Sequence, residues 1–232
     1  MDLIWYGIVQ AVGLLLRADP DVMAIMWLSL KVSGIATLLS LLVGIPLGAA
    51  IGLTRFRGRG FVLSLVNTGM GLPPVVVGLF VSIFLWRSGP LGFLQLLYSP
   101  TAIVVAQFVL AFPVVTGLTA AAMQQIDPRL RLQLLGLGAS RAQMLGQLLR
   151  EARFAMLAAV MAAFGAVISE IGASMMVGGN ILGYTRVLTT ATVLETAKGN
   201  FDVAIALSLI LLGITFVINW TLTALQQRGA AR

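Results

Sequence analysis

Residues 136–153 read GLGASRAQMLGQLLREAR, and the reading of this stretch decides the reading of the chain. Arg141, Arg150 and Arg153 stand in it, while the long segments on either side carry almost no charge. Of 232 residues, 59% are hydrophobic and 10% are charged, against roughly 25% charged residues in an ordinary soluble domain. Such a composition belongs to a membrane protein. The charge gathered in one loop then has to be assigned to one side of a bilayer.

Apolar runs cover 22–53, interrupted by Lys31, then 61–86, 101–126, 154–177, interrupted by Glu170, and 203–225. A crossing needs about 20 apolar residues, so each run is long enough to span. The expectation is an all-α membrane protein with five transmembrane helices in one domain at 21–226. A cytoplasmic loop occupies 127–153, and residues 1–20 form an interfacial elbow helix. The apolar part of that N-terminal segment is too short to cross, and Trp5 and Tyr6 suit the headgroup level. An acidic second residue and the lack of a basic n-region argue against a cleaved signal. Arg55, Arg57, Arg59, Arg129, Arg131, Arg141, Arg150, Arg153, Arg228 and Arg232 fall on one side of the five-span arrangement; Arg17, Arg87, Arg186 and Lys198 fall on the other. Basic loops stay in the cytoplasm. This predicts a multi-pass protein of the cytoplasmic (inner) membrane, N-terminus outside and C-terminus inside.

Several kinds of chemistry drop out. With no Cys and no His, zinc sites, haem ligation and Cys or His nucleophiles are absent, and no cofactor or metal is expected. The net charge of +7 lacks the basic face with interleaved aromatics that nucleic acid requires, and in so apolar a chain it speaks for anionic lipid instead. No phosphate-cradling GxxxxGK[ST] occurs, so the chain is not itself an ATPase of that kind and not otherwise read as an enzyme. An ion-coupled secondary transporter would bring repeated halves with paired broken helices, and no repeat is visible.

The loop has a shape of its own. Asp127-Pro128 is a helix start, with Asp as N-cap and Pro at the first helical position, and Leu130, Leu134 and Leu137 repeat on one face. Gly138 suits a left-handed or sharply bent backbone. Ser140 and Gln143 make a capping box for a second arm whose apolar face is Leu145, Leu148, Leu149 and Ala152. A stop-transfer loop accounts for the arginines, but not for two capped amphipathic arms around a bend.

Within the spans, Pro73 and Pro74 remove two backbone donors, which serves either a packing kink or a broken helix beside a polar path. Asn67, Thr68 and Ser82 either satisfy their own helix or face that path. Glu170 is an intramembrane carboxylate, costly unless partnered. It lies roughly 24 Å along its span at about 1.5 Å per residue, near the outer face. A bare carboxylate would repel an anion, so an internal partner is expected, with Arg186 or Lys31 as the choices. Pro113 reads as a packing kink, and Gly44 and Gly48 read as small-residue spacing for close helix approach.

The segment DPRLRLQLLGLGASRAQMLGQLLREAR resembles the cytoplasmic loop by which permease subunits of binding-protein-dependent ABC importers dock on their ATPase. Gly138 matches the family glycine, and Leu132, Gln133 and Leu134 stand where the family has an acidic residue followed by two alanines. NTGMGLPPVVVGLF, AFPVVTGLTAAAM and FGAVISEIGASMMVGGNILGYTRVLTTATVLETAKGNF together resemble oxyanion permeases. Ser169-Glu170-Ile171-Gly172-Ala173 is shared by the molybdate and sulfate branches, while the continuation GYTRVLTTA inclines toward tungstate. The resemblance implies a MetI-like fold and a homodimer served by two ABC ATPase subunits and an extracytoplasmic oxyanion-binding protein. It also implies an ATPase-coupling bend at Leu137, Gly138, Ala139, Ser140, Arg141 and Gln143. Candidates for the path or gate are Asn67, Pro73, Pro74, Ser169, Glu170 and Gly172.

Overall fold

A computed structural model describes residues 2–230, with side chains for residues 5–227. Arg228 and Arg232, counted above among the cytoplasmic cations, lie outside the described side chains. The described residues form helices and one 3-10 turn, with no strand. In chain order the helices are α1 (Asp2–Leu16), α2 (Pro20–Leu53), α3 (Arg59–Met70), α4 (Pro74–Leu85), α5 (Pro100–Gln124), α6 (Pro128–Gly136), α7 (Arg141–Glu151), α8 (Arg153–Ile168), α9 (Gly172–Gly178), α10 (Leu188–Ala197) and α11 (Phe201–Ala230).

Three of these helices begin with one local device, a polar N-cap followed by proline at the first position. The Asp19 carboxylate accepts from the N–H groups of Asp21 and Val22 at 3.1 Å each and starts α2. Ser99 does the same for α5 through Ala102 N, and Asp127 for α6 through Arg129 N. Proline has no N–H to leave unsatisfied there, and its fixed φ suits the first helical turn.

α2, α5 and α11 are each long and apolar enough to cross a membrane, and the count reaches five if each sharply bent helix pair is taken as one span. The run 61–86 is not one helix. α3 and α4 meet at 100° across Gly71–Pro73, because two consecutive prolines cannot continue the hydrogen-bond ladder of α3. The second bent pair in that count is α7 with α8, at 67°; the run 154–177 is divided besides, since α8 ends at Ile168 and α9 restarts at Gly172.

α5 is the centre of the bundle, and glycines let its neighbours approach its backbone. A Cβ on Gly48 of α2 would stand 2.5 Å from the Thr116 carbonyl oxygen and 3.1 Å from Ala120 N, and one on Gly44 would meet Val115 at 2.8 Å. On its other sides, Pro113 packs against Gly69 of α3, and Gln107 Nε2 donates to Val167 O of α8 at 3.0 Å. α10 is pinned to α2 because the buried Ser29 hydroxyl accepts from Leu188 N at 2.8 Å while donating to Ile25 O. α1 packs through Gly7 on Ile205 of α11.

The α2–α5 contact yields a direct test. Gly48→Val must displace backbone, and overpacking of this kind costs about 1–3 kcal/mol. Gly34→Ala, where an added Cβ meets nothing within 4 Å, should leave stability unchanged or raise it by about 0.4–1 kcal/mol. Thermal unfolding of the two detergent-solubilised variants checks the difference.

Candidate functional site

Residues 127–153 are built as two short helices around a left-handed residue. α6 ends at Gly136, and the backbone turns at Gly138 with φ +77. Ser140 then opens α7 with both halves of a capping box: Gln143 N donates to Ser140 Oγ at 3.3 Å, and Ser140 N donates to Gln143 Oε1 at 2.8 Å. Leu130, Leu134 and Leu149 pack on a buried patch of Ala49, Ala122, Met123, Leu148 and Ala152, which ties the loop to the C-terminal ends of α2 and α5 and the start of α8.

Two expectations are corrected here. Leu137 does not share the face of Leu130 and Leu134, because the helix stops one residue earlier; as its C-cap, Leu137 is 84% exposed. Leu145 also stays largely out of the core. Leu137, Gly138, Ser140, Arg141 and Gln143 therefore make an exposed bend with one large apolar residue at its tip, and Ala139 is partly covered beside them.

The second group lies where the two broken runs meet. A Cβ on Gly172, the first residue of α9, would stand 2.7 Å from Val75 of α4, and one on Gly78 would stand 2.7 Å from Cα of Ala173. The break after Pro73 and Pro74 and the break at Ser169–Ile171 are thus adjacent. Asn67 and Thr68 are exposed on α3, which buries none of its residues, and Thr68 returns its hydroxyl proton to Ser64 O. Ser169 bonds Gly165 O at 2.7 Å. Ser82 Oγ is buried without a partner.

Glu170 is 5% exposed, and its partners are neither Arg186 nor Lys31. Its carboxylate accepts from Ala173 N at 2.8 Å, Ser174 N at 2.9 Å and the Ser174 hydroxyl at 3.0 Å. Those N–H groups open α9, so the negative charge rests on the positive end of a helix and no cation is needed. Arg186 is engaged with Asn180 at 3.2 and 3.3 Å, and Lys31 is exposed on α2. Thr189 completes the arrangement by donating its hydroxyl to Glu170 O at 2.9 Å, which fastens the break to α10. Sequence reasoning passed over Ser174 and Thr189; the signal for Ser174 was a hydroxyl four residues after a buried acid.

Comparison with known proteins agrees with this architecture. The family described as binding-protein-dependent transport system inner membrane component matches residues 44–229. The chain is 41% identical over 227 residues to the tungstate uptake system permease protein TupB of Peptoclostridium acidaminophilum, covering 98% of this chain and 100% of that one. It is 31% identical to the sulfate transport system permease protein CysW of Escherichia coli K12, covering 91% of this chain and 78% of the other. Among solved structures, one of the MetNI methionine ABC transporter in inward-facing conformations superposes with a TM-score of 0.77 at 18% identity, over 90% of this chain and 98% of that one.

Removing the Glu170 carboxylate leaves two buried N–H groups without acceptors, each costing about 1–3 kcal/mol. Glu170→Ala should therefore lower the thermal midpoint of the solubilised protein clearly. Arg186→Ala should spare the Glu170 contacts and cause a smaller loss. Equal losses from the two would mean that Glu170 depends on Arg186 after all.

Proposed function

The chain belongs to the family of binding-protein-dependent transport system inner membrane components, and on that premise we propose that it is the permease subunit of a tungstate importer in the inner membrane. The observation that carries the substrate is the 41% identity to a tungstate permease along essentially the full length of both chains, against 31% for a sulfate permease. An extracytoplasmic binding protein delivers the oxyanion. Two copies of an ABC ATPase supply the energy, since the chain carries no phosphate-cradling loop of its own. Two copies of the permease enclose the path.

The geometry supports that division of labour. A bend with an exposed leucine at its tip suits insertion into a groove on the ATPase, and its basic flanks suit the cytoplasmic face. Closure of the two ATPases then reaches the spans as a rigid-body movement. The α3 face with Ser64, Asn67 and Thr68 exposed on one side is poorly matched to lipid and well matched to a polar gap facing a second copy. Next to it, the N–H of Val75 after the double proline makes no hydrogen bond among the described residues. Hydroxyl, amide and single backbone donors hold a dianion loosely enough for it to leave, as a path requires. Glu170 takes no part in anion contact, because its oxygens are occupied at α9; with Ser169 and Gly172 it shapes the gate.

The bend is tested at Gly138. An added Cβ meets nothing within 4 Å there, so Gly138→Val acts only through the positive φ, at about 1–3 kcal/mol. Binding-protein-stimulated ATP hydrolysis and tungstate uptake should fall together by about fivefold or more, the factor that 1 kcal/mol represents. Membrane insertion and dimerisation should persist. Wild-type levels of both activities would reduce the stretch to a stop-transfer loop, and equal uptake of sulfate and tungstate by the wild-type assembly would withdraw the substrate.

Topology is tested separately. Cysteines placed at Ala142 and at Ser88, both exposed, should be labelled by a membrane-impermeant thiol reagent from opposite sides, Ala142 from the cytoplasm. Labelling of both from one side would overturn the five-span order.

A further inference from the structure

The last four carbonyls of a helix have no partners inside it. In α2, Ala50 O accepts from Thr54 N at 3.1 Å and from the Thr54 hydroxyl at 2.6 Å. The other three are taken by guanidiniums. Arg59, the first residue of α3, donates from Nε to Ile51 O at 2.8 Å and from Nη2 to Gly52 O at 3.4 Å. Leu53 O accepts from Arg131 Nη1 at 3.1 Å, and Arg131 belongs to α6, 78 residues away in the chain. Arg59 caps its own neighbourhood; Arg131 joins two distant elements.

What Arg131 joins is mechanically informative. α6 buries none of its residues and follows α5 through an elbow of Gln125, Ile126 and Asp127. An exposed helix on a short connector is free to swing unless something closes the third side. α2 supplies that side, because Gly48 and Gly52 set it against the backbone of α5 at Thr116 and Ala120. Leu130 and Leu134 pack on the patch that Ala49 of α2 and Ala122 and Met123 of α5 share with Leu148 and Ala152. The Arg131 bond lies exposed at the surface, but it is directional and its donor is charged, which makes it stronger than a neutral one.

We propose that Arg131 is a positioning residue that locks the α5–α6 elbow, so that a push on the bend at 137–140 turns α2 and α5 as one body. The proposal rests on the reading of that bend as the ATPase contact. Without the lock, the push is spent in flexing the elbow, and nucleotide is hydrolysed with little movement of the spans. Arg131 thus sets coupling efficiency, while docking stays with the bend.

The experiment uses the complete transporter, permease with ATPase and binding protein in proteoliposomes, and reads tungstate imported per ATP hydrolysed. Arg131→Ala should lower this ratio by about 3- to 10-fold, the range in which residues between coupled sites act, with stimulated hydrolysis kept within about twofold of wild type. Arg131→Lys, whose ammonium still donates to a carbonyl, should recover at least half of the ratio. Arg129→Ala removes the same charge from an exposed position on the same helix and should leave the ratio unchanged. A wild-type ratio in Arg131→Ala, or an equal fall in Arg129→Ala, would overturn the proposal. So would a joint fall of hydrolysis, uptake and thermal midpoint, which would make Arg131 a prop of the fold. If Arg131→Ala does not assemble, Arg131→Gln replaces it: a low ratio restored by lysine supports the lock, and equal ratios in Gln and Lys sink it. A wild-type assembly lacking stimulated hydrolysis would instead remove the importer reading on which the proposal stands.

Discussion

Hydrocarbon offers a helix end nothing to bond, and a broken helix has more ends than a straight one. This constraint runs through the molecule. Glu170 supplies acceptors where α9 begins, Gln107 supplies a donor near the end of α8, and two arginines cover the end of α2. Some of the side chains that close these ends come from other elements, as Gln107, Arg59 and Arg131 do. Each such closure is also a tie between helices. The break before α9 is tolerated because its end is bonded.

The closest backbone contacts between helices fall in two pairs. α2 and α5 meet backbone to backbone through glycine, which leaves no soft side-chain layer between them to absorb a shear. α4 and α9 meet in a similar way at Gly78 and Ala173, so the pieces beyond both breaks form a second closely packed pair. The two pairs share one buried core, in which Val32 of α2 and Ile103 and Ala106 of α5 meet Val77 of α4 and Val177 of α9, while the short connectors at 71–73 and 169–171 join α4 to α3 and α9 to α8. Any opening of a path that keeps helices intact concentrates its backbone change in those connectors.

Much of this was legible in the residues where the cause is local. Asp127-Pro128, Gly138 and the Ser140–Gln143 box act within a few positions, and the double proline announces a break wherever it occurs. Leu137 was misplaced because periodicity alone does not say where a helix stops; α6 ends at Gly136, and the next residue leaves the face. The partner of Glu170 was sought among cations, by the logic of charge. Backbone donors three and four residues on do the same work, and they exist only because the chain restarts a helix at Gly172. Arg131 looked like one topogenic charge among many. Its bond to Leu53 spans 78 residues and is a product of tertiary placement, which no local pattern records.

α8 has 16 residues, a rise of about 24 Å against a hydrocarbon core of about 30 Å. Alone it is shorter than the core, and the connector that Glu170 organises follows directly at its end. If α8 and α9 cross together, a thick bilayer would stretch that connector and a thin one would relax it, at fractions of a kcal/mol per ångström of mismatch. The acyl-chain length of the host membrane would then be felt at the Glu170 connector, with no lipid headgroup taking part.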